Sequence, residues 1–150
     1  MHPRRYVLAV AVVAVLSLAP VTSVEAASPA STYARTAFHE TNEKRAQHHR
    51  VKLDRHRCLQ RFAIRQARRM AEQRRMFHQD LGRIQRRCRM GSVGENVAYG
   101  YPNGRAVVRA WMHSPGHRQN ILRRQFRKMG LAARKGGGRW YVAQVFGTRL

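Results

Sequence analysis

Acidic side chains are scarce in this chain. Seven Asp and Glu stand against thirty Lys and Arg, a formal net charge of +23. Such an imbalance excludes a surface of balanced ion pairs and makes the compact state repel itself, so a compensating constraint is needed. Lysine is scarce too. It stands only at 44, 52, 128 and 135, so most of the charge is arginine. An arginine surface attracts polyanions such as nucleic acid, anionic lipid or acidic envelope polymers. Coding bias produces arginine as readily as selection for a partner does, so the charge alone assigns no partner.

Long apolar runs are also few. One extends from Tyr6 to Ala19, broken only by Ser17, short of the roughly 20 residues that a membrane span requires. Arg4 and Arg5 precede it, Pro20 ends it, and Val24-Glu25-Ala26 puts small residues at the −3 and −1 positions of a cleavage site. Residues 1–26 therefore read as a signal peptide, with an uncleaved anchor as the alternative. No cysteine follows at a lipoprotein position and no second apolar run follows. A soluble, secreted, extracellular protein is expected. Only two cysteines are present, Cys58 and Cys88. In an exported chain they predict a disulfide, with free thiols or a two-cysteine metal site as alternatives. Bridging them closes a loop of about thirty residues, worth roughly 3–4 kcal/mol in the chain-entropy model. Internal repeats and coiled-coil heptads are absent.

What remains is enough for one domain. Residues 27–35 read as a flexible leader, and Thr36 as the cap of a helix reaching about His49. A second helix is expected from Arg57 to Met76, where Leu59, Ala63, Ala67, Met70 and Ala71 recur near the 3.6 period. Its alanines point to close approach of another element, and its arginine face to solvent. Glycines at 82, 91, 94, 100 and 104 mark a loop-rich stretch around a short extended Glu95–Tyr99. A third helix is expected from near Arg105 through Trp111. Ser114-Pro115 then reads as an N-cap followed by proline at the first helical position, opening a helix to Leu122. Residues 129–133 and 140–146 flank Gly136-Gly137-Gly138 as a hairpin. In the second of these strands Tyr141, Ala143 and Val145 alternate with Trp140, Val142, Gln144 and Phe146. The expected class is α+β, with helices packed on an antiparallel sheet.

Three local patterns carry chemistry. His78 follows the long helix. Glu95 sits in Gly94-Glu95-Asn96-Val97-Ala98. His117 lies in the first turn of the helix opened by Ser114, where the dipole favours a neutral imidazole. Ser114 itself is expected to use its oxygen as a backbone cap.

These blocks resemble the CAP superfamily of cysteine-rich secretory, antigen 5 and pathogenesis-related 1 proteins, in its short bacterial secreted branch. The resemblance runs through Asn42-Glu43-Lys44-Arg45, Phe77-His78, Gly94-Glu95-Asn96-Val97-Ala98, Trp111-Met112-His113-Ser114-Pro115-Gly116-His117-Arg118-Gln119-Asn120-Ile121-Leu122, Gly130 and Tyr141 to Gly147. It places a CAP (SCP-like) domain at 36–150. It implies an α-β-α sandwich with a central antiparallel sheet between helical layers, and a cleft where His78, Glu95 and His117 converge. Ser114 stands where animal and plant members keep a second glutamate. A divalent metal, zinc or magnesium, would thus meet two imidazoles and at most one carboxylate, a weak or open site. Asn42 and Arg45 are expected to brace the first helix, Asn96 to fix the turn after Glu95, Trp111 to lie in the core, and Asn120 to serve as a structural motif residue.

Three functions compete. The first is a monomeric binding module for a metal or small ligand, in contact with an anionic envelope polymer. The second is a metal-assisted hydrolase acting on peptide or cell wall, with Glu95 as base. The third is a cationic protein binding polyanions or membranes non-specifically, without sequence-specific nucleic-acid readout.

Overall fold

The computed structural model describes residues 27–149. The expected signal peptide, residues 1–26, lies outside the described residues. Along the described chain run α1 (Pro29–Gln47), β1 (Asp54–Arg55), α2 (Arg57–Gln73), α3 (Leu81–Cys88), β2 (Val93–Tyr99), α4 (Gly104–Met112), α5 (Pro115–Leu122), β3 (Lys128–Gly136) and β4 (Arg139–Gly147). None of the helices described is long and apolar enough to cross a membrane.

The sheet order is β1-β3-β4-β2. β4 pairs antiparallel with both β3 and β2, and the two-residue β1 joins β3 in parallel. β4 separates two cores. Val142 and Phe146 face α1, α4 and α5, packing with Ala37, Val108, Trp111 and Ile121. Tyr141, Ala143 and Val145 face α2 and α3, packing with Leu59, Ala67, Met70 and Ile84. The architecture is the α-β-α sandwich, and the period-2 alternation of β4 is what divides the layers.

Three elements differ from the sequence expectation. The stretch 27–35 is not a flexible leader. Ser28 Oγ accepts from Ser31 N, Pro29 takes the first helical position, and α1 starts there rather than at Thr36. Tertiary contact holds those early turns: Tyr33 is buried, its hydroxyl donates to Tyr101 O, and its ring lies 5.1 Å from that of Trp140. The second helix stops at Gln73, before Met76, because Arg74 turns left-handed at φ 49°. The loop-rich stretch hides α3, an eight-residue helix. Asp80 Oδ1 accepts from Arg83 N at its start, and the Cys58–Cys88 disulfide fastens its end to α2.

The helices sit very close to the sheet. A Cβ on Gly130 would lie 2.3 Å from the backbone of Leu59 and Gln60 in α2, and one on Gly136 would lie 2.2 Å from Ala71 O. Gly136 therefore belongs to β3. Gly137 and Gly138 alone make the turn, both at positive φ, as a two-residue type I′ hairpin requires.

Arg45 is fully buried in α1. Its Nε donates to Val51 O (2.8 Å), Nη1 to Ile121 O (2.6 Å) and Arg123 O (3.1 Å), and Nη2 to Phe126 O (3.2 Å). Burial first, then the charges of Arg127 and Arg50, lowers its pKa to about 10, which still leaves it charged at neutral pH. Asn42 works beside it, accepting from Leu53 N (2.8 Å) and donating to Leu53 O (3.0 Å).

Two stability measurements follow from this packing. Arg45→Leu leaves four carbonyls without their donor and is expected to cost about 3–5 kcal/mol in denaturant unfolding. A loss below about 1 kcal/mol would mean that water replaces the guanidinium. Gly130→Ala is expected to cost about 1–3 kcal/mol, as overpacking does. An unchanged midpoint would show that α2 can lift off β3 freely.

Candidate binding cleft at the free edge of the sheet

Among the described residues β2 pairs with β4 on one side only, which leaves its other edge without a strand. Two side chains cover that edge. Trp111 Nε1 donates to Val97 O (3.4 Å), and Asn120 Nδ2 to Glu95 O (3.0 Å). Alternation along β2 sends Val97 to the α2/α3 core and Ala98 to the other. Glu95 shares the face of Val97, and Asn96 that of Ala98. The edge is thus where groups from the two layers can meet.

From the α2–α3 side comes His78. Its Nδ1 donates to Glu95 Oε2 at 2.8 Å. The Glu95 side chain is fully buried, whereas that of His78 is 60% exposed. Gln79 completes the hold on the carboxylate, with its backbone N on Oε2 (3.2 Å) and its Nε2 on Oε1 (2.6 Å). From the opposite side comes His117, on α5. Its Nδ1 lies 2.8 Å from Ser114 Oγ, and its carbonyl accepts from Asn96 Nδ2 (3.2 Å). Ser114 therefore does not act as the expected backbone cap. It precedes α5 with no side-chain bond to a backbone amide, because the imidazole three residues on takes its oxygen.

The His117 pKa is lowered, by burial first and by the charge of His78 second. The expected direction holds, but its causes are burial and a neighbouring charge. His113 takes no part in the edge, since its Nδ1 bonds to Arg109 O in its own helix.

A chain of polar side chains backs the edge. Thr41 Oγ1 on α1 accepts from Gln144 Nε2 on β4, and Gln144 Oε1 accepts from Asn96 Nδ2. Asn96 Oδ1 in turn accepts from Asn120 Nδ2 on α5. Thr41, Asn96 and Gln144 are fully buried. Asn96 therefore locks the sheet to α5 and does not merely fix a local turn.

Beside His117 opens a cleft of about 250 Å³, with Ser114 and Trp111 in its lining and Met76, Tyr99 and Tyr101 around them. These last three are 45%, 46% and 37% exposed, so they are free to meet a ligand. A larger groove of about 770 Å³ along α5, lined by Arg118, Arg123 and Arg124 among others, shares no residue with this cleft. Among the described residues, no group of three or more His, Cys, Asp and Glu side chains is arranged to hold a metal ion. The expected triad divides accordingly. Glu95 is bonded to His78 and Gln79, while His117 approaches from the other layer. Gln79, Tyr99 and Tyr101 escaped the sequence reading because no local pattern marks them.

A family model described as CAP, cysteine-rich secretory protein family, matches residues 38–146. An uncharacterized protein of Bacillus subtilis (strain 168), YkwD, is 43% identical over 49 residues, covering 33% of this chain and 19% of that protein. Among solved structures, an extracellular protein containing an SCP domain from Bacillus anthracis superposes with a TM-score of 0.70 at 24% identity, over 88% of this chain and 45% of that one. An outer surface protein from Borrelia burgdorferi gives 0.69 at 24% identity, over 77% and 92%. The structure of NaASP2 with Zn2+ gives 0.58 at 14% identity, over 79% and 80%. At these identities the structural likeness is one of fold. The chain spans less than half of the B. anthracis protein and about a fifth of YkwD.

Two histidines, one in the cleft and one at the start of α2, give the fold a pH signature. His117 and His56 both have lowered pKa values, His56 through burial and then Lys128 and Arg61. His56 Nδ1 is also buried without a partner among the described residues. Unfolding frees both rings to take protons near pH 6.5 that the folded state resists. Stability is therefore expected to be full above about pH 6.5 and to fall as pH drops below it. Denaturant midpoints at pH 7.5 and 5.5 test this. The fall should shrink in His117→Gln, and an equal fall in that variant would place the effect elsewhere.

Proposed function

Because the chain belongs to the CAP family of cysteine-rich secretory proteins, we propose that it is an exported binding module whose edge cleft takes a small ligand, with His78 and His117 able to share a divalent ion such as zinc. Export is supported by the residue 1–26 pattern, the Cys58–Cys88 disulfide and relatives described as extracellular or outer-surface.

One observation carries the reading: both histidines have Nδ1 committed and Nε2 without a hydrogen bond among the described residues. Metal-ligating histidines have this arrangement, with one ring nitrogen oriented by a carboxylate or other acceptor and the other left to bind. Glu95 fits as the group that orients His78, not as a ligand, since both its oxygens already accept hydrogen bonds. The lowered His117 pKa keeps that ring in its neutral, ligating form. Two nitrogens make an open site whose remaining positions belong to water or ligand. Tyr99, Tyr101 and Met76 add apolar contact beside it, and Ser114 a hydroxyl. A structure of this fold, NaASP2, was solved with Zn2+.

The hydrolase reading needs Glu95 as a free base, whereas three hydrogen bonds hold its carboxylate. No observation favours that reading over binding.

Calorimetric zinc titration tests the proposal. Wild type should bind, and His78→Ala/His117→Ala should lose the heat. Glu95→Gln should weaken binding by about 10–100-fold, the effect of disturbing a group that orients a ligand. Identical heats for wild type and the double histidine variant would remove the metal from the function.

A further inference from the structure

On the α2/α3 side lies a second cavity, of about 230 Å³. It is lined by Phe62, Arg65, Gln66, Arg69, Gln79 and Arg83, together with Asp80, and shares no residue with the edge cleft. Three guanidinium groups face one carboxylate there. Arg65 and Arg69 stand one helical turn apart on α2, about 6 Å along its axis, a like-charge spacing that disfavours the helix. Neither they nor Arg83 form an ion pair among the described residues. Asp80 Oδ1 accepts instead from the backbone N of Arg83 (3.0 Å). Two of the guanidiniums are held over rings, Arg65 at 4.3 Å from the centre of Phe62 and Arg69 at 5.1 Å from that of Phe77. This contact limits their freedom before any ligand arrives.

Gln66 supplies the independent observation. It is fully buried, and its Oε1 has no hydrogen-bond partner among the described residues. Its Nε2 donates to Phe77 O, which fixes which end of the amide is the acceptor. A buried acceptor without a donor is unfavourable, so a ligand donor that the Gln66 side chain turns in the cavity wall to meet would satisfy it. The cavity therefore suits a ligand that combines negative charge with a hydroxyl. A carboxylate is matched by a single guanidinium fork, whereas three guanidiniums suit the oxygens of a phosphate.

We propose that this cavity is an anion site for a phosphate ester carrying a free hydroxyl, of the polyol-phosphate type. Such a group is found both as a free phosphate ester and as the repeating unit of an anionic envelope polymer. The site does not depend on the metal reading of the edge cleft. It does adjoin it, because Gln79 lines the cavity and also holds Glu95 through two hydrogen bonds.

Calorimetry at physiological salt tests the proposal with glycerol phosphate, propyl phosphate and glycerol. Glycerol phosphate is expected to bind and glycerol not to. Propyl phosphate, a monoester of the same charge that lacks the hydroxyl, should bind about fivefold more weakly, the value of one hydrogen bond. Arg65→Ala/Arg69→Ala and, separately, Arg83→Ala should each weaken glycerol phosphate by about tenfold or more. Removing two charges that do not line the cavity, Arg134→Ala/Arg139→Ala of the hairpin, should leave it within about twofold. Gln66→Met, if its thermal melt shows it folded, should abolish the preference for the hydroxyl. A short poly(glycerol phosphate) chain that competes at lower concentration than the monomer assigns the site to a polymer, and one that is excluded assigns it to a free ester. Absence of binding to wild type, or equal losses in the cavity and hairpin variants, would overturn the proposal.

Discussion

A buried cation with no carboxylate beside it holds one half of the sandwich together. Arg45 reaches from α1 to the carbonyls of Val51, Ile121, Arg123 and Phe126. Those oxygens belong to the turn after α1, the end of α5 and the loop before β3, segments that no backbone ladder unites. Guanidinium geometry suits the task, since its donors diverge in a plane and each reaches a carbonyl, those of Ile121 and Phe126 in buried bonds. Arg50 adds a further contact of this kind, with Nε on Leu122 O (3.0 Å). The end of α5 is therefore fixed from α1, and its start presents His117 to the sheet edge. The geometry of the cleft depends on a residue in another helix.

The polar chain from Thr41 through Gln144 and Asn96 to Asn120 gives that arrangement its register. A core of Val142, Phe146, Val108 and Ile121 would allow sliding at modest cost. Buried amides do not, because each displaced donor or acceptor loses a specific partner. Asn96 is the junction, bonded to Gln144, Asn120 and the carbonyl of His117. Its neighbour Glu95, on the other face of β2, orients His78. Two consecutive residues of one edge strand thereby set the two imidazoles from opposite layers, which explains why a glutamate followed by an asparagine is useful here.

Much of this was legible where local chemistry and tertiary demand agree. The alternation of β4 announced a strand with two distinct faces, and the alanines of α2 announced close packing, which Gly130 and Gly136 complete. The Ser114-Pro115 pair marked the start of α5. The failures have a common physical cause. Ala-Ser-Pro-Ala-Ser is turn-like by composition, and it becomes helix because Tyr33 is buried against the rest of the domain. Only Ile84 and Cys88 are buried in α3, too few to set a helical period among flanking glycines. Ser114 had two competing partners, a backbone amide and the His117 ring, and only the placement of that ring decides between them. Tyr99 and Tyr101 become neighbours of His117 through the return of β2 to the sheet edge, and the same return brings Glu95 to Gln79, the residue after His78, long-range facts with no signature along the chain. For the candidate site, then, residue types were readable and the division of labour among them was not.

The scarcity of acid sharpens this view of the molecule. Asp80 caps α3, Glu95 orients His78, Asp54 pairs with Lys128 across β1 and β3, and Glu72 pairs with Arg68 on α2. Glu40 and Glu43 meet Lys44, Arg105, Lys52 and His39 around α1. Each of these carboxylates is thus engaged in a local contact, and most arginines are left with only solvent or an aromatic face as partner. Exposed arginines lose little from mutual repulsion in salt water, and the rings of Phe38, Phe62, Phe77 and Phe126 each carry a guanidinium. The disulfide between α2 and α3 secures a densely charged place, with arginines at 83, 86, 87 and 89 around Cys88. A covalent tie there is indifferent to the repulsion that would otherwise part the two helices. It lets this surface remain strongly positive, and therefore available to anions, without loosening the layer that holds Glu95.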